Sequence, residues 1–298
     1  MQSRIEMKQV QTIDVLLLLL LGAIWGSSFF NIKIATHSYE PFTLALVRVV
    51  LATLAMLLVC YFYKIKIYAF SNKWKIYAVV SLCNITIPFS LIAIGTNKVD
   101  SYLAAILMST TPISGSILAH FFTKNEKITF LKSLGILLGF SGILLLFFDK
   151  IIVNSNNIFF VLIILLGSTF YSIAGIIILK NLKEAGNMNV TTSTLIWSVI
   201  FLLPMSFIFE HPLNSNPSLI STFSLIYLGV VATGFAWWLR FKILAKNGLV
   251  FQTQVAYLIP IFGVIFGALI MKEQITWKVL VSLIIIITGI YIAKKNNK

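Results

Sequence analysis

Glu126-Lys127-Ile128-Thr129 returns 147 positions later as Glu273-Gln274-Ile275-Thr276, and each copy follows an apolar run that holds a proline, Pro112 in the first and Pro260 in the second. At the same offset Ser141-Gly142 falls on Thr288-Gly289, and Leu20-Leu21-Gly22 has a counterpart in Leu165-Leu166-Gly167. A period of about half of the 298-residue chain marks an internal duplication. Around these motifs, apolar runs of bilayer-crossing length fall at about 13–35, 41–62, 74–94, 100–122, 128–148, 158–180, 190–209, 220–244, 249–271 and 275–293. The pattern predicts an all-α membrane protein with ten transmembrane helices. Five spans per half is an odd number, so the halves lie upside down relative to each other, as two inverted five-helix repeats. Transporters built this way place their substrate site near the midplane, between the halves. The first repeat covers 13–150 and the second 151–293, with short tails at 1–12 and 294–298.

Composition agrees with this reading and removes others. Hydrophobic residues make up 59% and charged residues 11%, against about half and about a quarter in soluble domains. The net charge of +14 would suit a nucleic-acid partner if it formed a patch, but the basic residues stand between apolar runs and act as topology signals. Sixteen Lys and Arg, Arg4, Lys8, Lys64 and Lys183 among them, fall on the side shared by both termini, against five on the other. Both termini are therefore expected to be cytoplasmic. The run 13–35 is longer than a signal-peptide core and nine spans follow it, so it reads as a retained first helix. Cys60 and Cys83 lie inside apolar runs, which predicts buried thiols, with no disulfide, metal site or cofactor.

A set of residues spread over both halves, in characteristic order and spacing, carries a further signal: Trp25-Gly26, Arg48, the run from Ala104 through Pro112 and Ala119 to Glu126, and Leu239, Phe241, Gly248, Tyr257, Pro260, Gly267 and Glu273. In these positions the whole chain resembles the drug/metabolite transporter superfamily, specifically its EamA-type ten-helix carriers. The resemblance implies movement of small metabolites across the inner membrane, often amino acids or related compounds and commonly outward.

Arg48 is the most informative position. It lies about seven residues into its span, roughly 10 Å deep at 1.5 Å per residue, where an unpaired charge is costly and marks a cavity or a partner. Its planar fork suits a substrate carboxylate. The alternative is a gating or snorkelling residue paired with Glu40 or Asp100. Arg240, near a span end beside Lys242, reads as snorkelling. No Asp or Glu sits deep in a span, which favours a facilitator or exchanger over a proton-coupled antiporter.

The small polar face through Ser101, Ala105, Ser109, Pro112 and Ser116, opposed by Thr253, Gln254, Tyr257 and Pro260, predicts two cavity walls. Trp25, Ser28, Tyr171 and one of Trp237 and Trp238 are further wall candidates. Asn84, one turn before Pro88, either satisfies a freed carbonyl or touches substrate. Pro88, Pro112 and Pro260 are expected to bend their helices, and Gly22 and Gly26 to let a neighbour approach. Two other classes compete with a carrier. A flippase of amphiphilic or lipid-linked molecules could use the same fold, with membrane lipids as partners. An intramembrane enzyme would need a nucleophile with its base, a deep carboxylate pair or metal ligands, and no such cluster is legible.

Overall fold

The computed structural model describes residues 11–122, 129–153, 155–212 and 216–295. Glu126, Lys127 and Ile128 of the first copy of the repeated motif lie outside them, as do the basic residues Arg4, Lys8 and Lys124. Among the described residues the chain is entirely helical.

The helices are α1 (Thr12–Ala35), α2 (Pro41–Phe62), α3 (Trp74–Lys98), α4 (Ser101–Phe122), α5 (Phe130–Val153), α6 (Ser155–Asn181), α7 (Asn187–Phe209), α8 (Leu219–Gly248), α9 (Val255–Leu269) and α10 (Trp277–Lys295). Seven of them, α1 to α4 and α6 to α8, carry stretches long and apolar enough to cross a membrane, and α5, α9 and α10 contribute shorter apolar ones. Large apolar side chains also point outward, among them Leu16, Leu54, Leu58, Phe130, Leu137, Leu162, Phe207 and Ile284. An exposed apolar surface of this extent belongs against lipid rather than water. The chain is a multi-pass membrane protein.

Packing follows a simple scheme. α1 lies against α9 and α8, and α6 lies against α4 and α3. α2 packs on α7 and α8, α7 on α2 and α3, α5 on α10, and α4 on α9. Small residues set the closest crossings: a Cβ on Gly263 of α9 would meet that of Ala105 at 2.3 Å, and one on Gly26 of α1 would meet that of Phe262 at 2.6 Å. Gly22 faces Leu258 in the same way, so Gly22 and Gly26 serve the contact between α1 and α9.

Two helices depart from regular α geometry. Leu82–Thr86 in α3 and Tyr227–Phe235 in α8 are wound as π-helix, a rare form concentrated at functional sites. Pro88 follows the first of these stretches inside the continuous α3, where the N–H it lacks leaves the winding one backbone bond short. Pro112 is exposed in the first turn of a new helical segment, after a break at Ser109 and Thr110. Pro260 does lie inside its helix, and so does Pro204 in α7. Gly248 has φ 80° and ψ 172°, values that L side chains rarely adopt, and turns the chain sharply at the end of α8.

Polar groups close the helix ends. Glu210, at the end of α7, accepts from the Phe42 N–H at 2.7 Å, the Thr43 N–H at 2.6 Å and the Thr43 hydroxyl at 2.7 Å. Glu273 does the same for the first turn of α4. In the first turn of α1, the buried Asp14 carboxylate accepts from the Gln11 N–H at 3.0 Å and from Lys246 Nζ at 2.6 Å.

Candidate functional site

Arg48 is 8% exposed in the middle of the bundle. Its Nε donates to Thr233 Oγ1 at 2.9 Å, and its guanidinium carbon stands 4.1 Å above the Phe89 ring. The local winding of α8 explains the first contact. In the π stretch the Thr233 hydroxyl donates to the Leu228 carbonyl, five residues back, at 2.8 Å. This fixes its oxygen as an acceptor toward α2. Gly229 and Gly234 let α8 come close enough, since a Cβ on either would meet Leu51 or Ala55 of α2 at 2.6 Å. Phe89 follows the π stretch of α3, so Arg48 takes one contact from within an irregular winding and the other from just beyond one.

Among the described residues no carboxylate pairs with Arg48, and its terminal N–H groups donate to no protein acceptor. The pairing with Glu40 or Asp100 weighed from sequence is not made. Glu40 instead accepts from the His211 N–H at 3.3 Å. The guanidinium is held at one nitrogen and supported on an aromatic face, which leaves its other N–H groups available to an acceptor such as a planar anion.

Tyr171 of α6 lies within electrostatic range of Arg48 and packs against the same apolar cluster as Phe89 and Trp237. Trp25 of α1 meets Trp237 of α8 edge to face, with ring centroids 6.4 Å apart. Trp238 points the other way, its indole donating to the Tyr63 hydroxyl at 3.4 Å. Arg48, Tyr171, Trp25 and Trp237 are thus drawn toward one region, together with Thr233 and Phe89, which sequence reasoning missed. Asn84 lies in the first π stretch, half-buried, and its amide makes no hydrogen bond among the described residues.

The remaining expected wall residues lie elsewhere. Ser28 and Ser109 are buried, and each hydroxyl donates to a carbonyl of its own helix, Ile24 at 3.2 Å and Ile106 at 2.6 Å. Such back-bonding satisfies a hydroxyl in an apolar setting. Gln254 is exposed in the turn just before α9, outside the Arg48 cluster. Tyr257 is half-buried in the main apolar cluster, within electrostatic range of Tyr291 of α10. The Ser101 and Ala105 face does not line a cavity opposite α9. Ala105 is in direct contact with Gly263, and Ser101 is occupied by Glu273.

The bundle thus combines an apolar exterior with a cation buried between its helices that has no carboxylate partner among the described residues. The chain belongs to the EamA-like transporter family, which matches it twice, over residues 12–148 and 158–294. The uncharacterized transporter YoaV of Bacillus subtilis is 24% identical over 90% of this chain and 92% of its own length. An uncharacterized transporter from the trpA 3' region of Buchnera aphidicola subsp. Schlechtendalia chinensis is 26% identical over 90% of this chain and 86% of its own. A WAT1-related chloroplastic protein of Arabidopsis thaliana is 23% identical over 90% of this chain and 66% of its own. A protein crystal structure superposes with a TM-score of 0.70 over 96% of this chain and 98% of the other, at 13% identity, a likeness of fold alone.

Proposed function

We propose that this transporter moves small carboxylate-bearing metabolites, amino acids or related compounds, across the inner membrane by alternating access. Ten spans form two inverted five-helix halves, with both termini in the cytoplasm. Two observations support the repeat. The family matches each half separately, and the main packing pairs are preserved when the halves are exchanged: α1 on α9 becomes α6 on α4, and α2 on α8 becomes α7 on α3.

The single observation behind the substrate class is Arg48, buried and without a carboxylate among the described residues, bonded across the halves to Thr233. A substrate carboxylate bound there bridges both halves and is positioned to respond to their relative motion. The acids at the helix ends are engaged in caps and an ion pair, as Asp14, Glu210 and Glu273 illustrate. None of these stands deep in the bundle as a proton carrier, which favours facilitated transport or exchange.

The test is a ligand-stabilisation screen of the purified protein against amino acids, organic acids, quaternary amines and lipids. A ligand at 100 times its Kd stabilises the native state by about 2.7 kcal/mol. Carboxylates are expected to raise the melting temperature, and the effect to vanish in Arg48→Ala. Stabilisation by amphiphilic lipids alone overturns the reading in favour of a flippase.

A further inference from the structure

We propose that Arg240 is a second anion station on the same path, so that the preferred substrates carry two carboxylates. The proposal rests on the reading of Arg48 as a carboxylate anchor and extends it.

Arg240 does not behave as a residue reaching for the membrane surface. Its guanidinium carbon lies 4.9 Å from the centre of the Trp237 ring, one turn back along α8. Its Nε is buried and has no hydrogen-bond partner among the described residues. Among the described residues no carboxylate pairs with it either, and Asp14, which lies toward the same end of the bundle, is taken by Lys246. A snorkelling arginine directs its N–H groups to water or headgroups. This one is folded back over an aromatic ring with a donor left unused, while the residue as a whole keeps partial exposure.

The two arginines are organised around one surface. Thr233, which holds Arg48, and Trp237, which supports Arg240, are four residues apart on α8. At 1.5 Å per residue Arg240 stands about 10 Å from Thr233 along the helix, and its return onto Trp237 shortens that separation. The rings beneath the two guanidiniums, Phe89 and Trp237, belong to one apolar cluster with Tyr171 packed against it. Two cations are thus held on rings of one apolar cluster, with no carboxylate paired to either among the described residues. A monoanion on Arg48 leaves the second charge bare, whereas a small dicarboxylate or an acidic amino acid neutralises both and supplies the missing acceptor for Arg240. Trp25, edge-on to Trp237 at 6.4 Å, bounds the same space from α1.

The experiment is calorimetric titration of the purified full-length protein in lipid nanodiscs with succinate, glutarate and butyrate. The wild type is expected to bind the better of the two dicarboxylates at least tenfold more tightly than butyrate. Arg240→Gln is expected to lose that tenfold preference while its butyrate affinity changes less than twofold, and Arg240→Lys to recover part of it. Arg48→Gln is expected to weaken all three ligands. A dicarboxylate preference unchanged in Arg240→Gln, or absent from the wild type, overturns the second station and leaves the Arg48 anchor standing. Binding of none of the three acids to the wild type overturns both. If Arg240→Gln does not fold, Arg240→Lys decides alone: a dicarboxylate preference reduced at least threefold with butyrate affinity held supports the station, and a preference equal to the wild type overturns it.

Discussion

The Glu273 carboxylate accepts from the Ser101 N–H at 2.7 Å, the Ser101 hydroxyl at 2.9 Å and the Tyr102 N–H at 3.2 Å. The glutamate of the repeated motif thus closes the first turn of α4 from the far end of α9. Free N–H groups and the positive end of the helix dipole both favour an anion at that place. Glu273→Ala is expected to destabilise the protein by about 1–3 kcal/mol, with Glu273→Gln intermediate, read as a fall in unfolding temperature in detergent. An unchanged midpoint for both variants would show the cap to be dispensable.

Glu210 performs the equivalent task for α2, with Thr43 contributing both its N–H and its hydroxyl, which also pairs with the Ser206 hydroxyl at 2.8 Å. Since one carboxylate serves all these donors, losses at its partners should not add. A double-mutant cycle of Glu210→Ala and Thr43→Val is expected to give a coupling energy of about 1–2 kcal/mol. Strict additivity would contradict the shared network.

Much of this architecture was legible because the bilayer imposes a length and polarity that apolar runs reveal directly. Arg48 stood out because a guanidinium is rare at its depth. Its partners did not, and the reason is geometric: a π stretch adds a residue to the turn and rotates every later side chain, so a 3.6-residue wheel does not bring Thr233 toward Arg48 or set Phe89 beneath it. Ser28 and Ser109 misled for another reason. A hydroxyl on a helix satisfies itself on its own backbone, and spacing cannot tell this from a cavity wall. Gln254 was displaced by the turn that precedes α9, after the positive φ of Gly248 has already redirected the chain.

Thr233 offers a way to separate positioning from charge. Thr233→Val keeps shape and removes the acceptor of Arg48 Nε. A hydrogen bond of this kind contributes about 0.5–1.5 kcal/mol, so carboxylate affinity is expected to fall by about 2- to 10-fold. Binding that matches the wild type in titration would mean that Phe89 alone holds the guanidinium.

The proposed orientation has a direct chemical check. In a background where the two free cysteines, Cys60 and Cys83, are replaced, a cysteine at His211 should react with an impermeant maleimide on intact cells. One at Lys183 should react only after the membrane is opened. The reverse pattern would invert the topology.

The contact between α5 and α10 gives the strictest packing test. A Cβ at Gly289 would lie 2.6 Å from the Gly135 carbonyl oxygen and 2.6 Å from the Gly139 nitrogen, both backbone atoms of α5. Backbone cannot swing aside as a side-chain tip can, so the helices must separate along their crossing. Overpacking of this kind costs about 1–3 kcal/mol. Gly175 in α6 is the natural control, because nothing lies within 4 Å of a Cβ built there and Ala is the better helix former by about 1 kcal/mol. Gly289→Ala is therefore expected to lower the melting temperature while Gly175→Ala holds or raises it. Equal effects at the two sites would mean that the α5 and α10 backbones do not approach as closely as the structure places them.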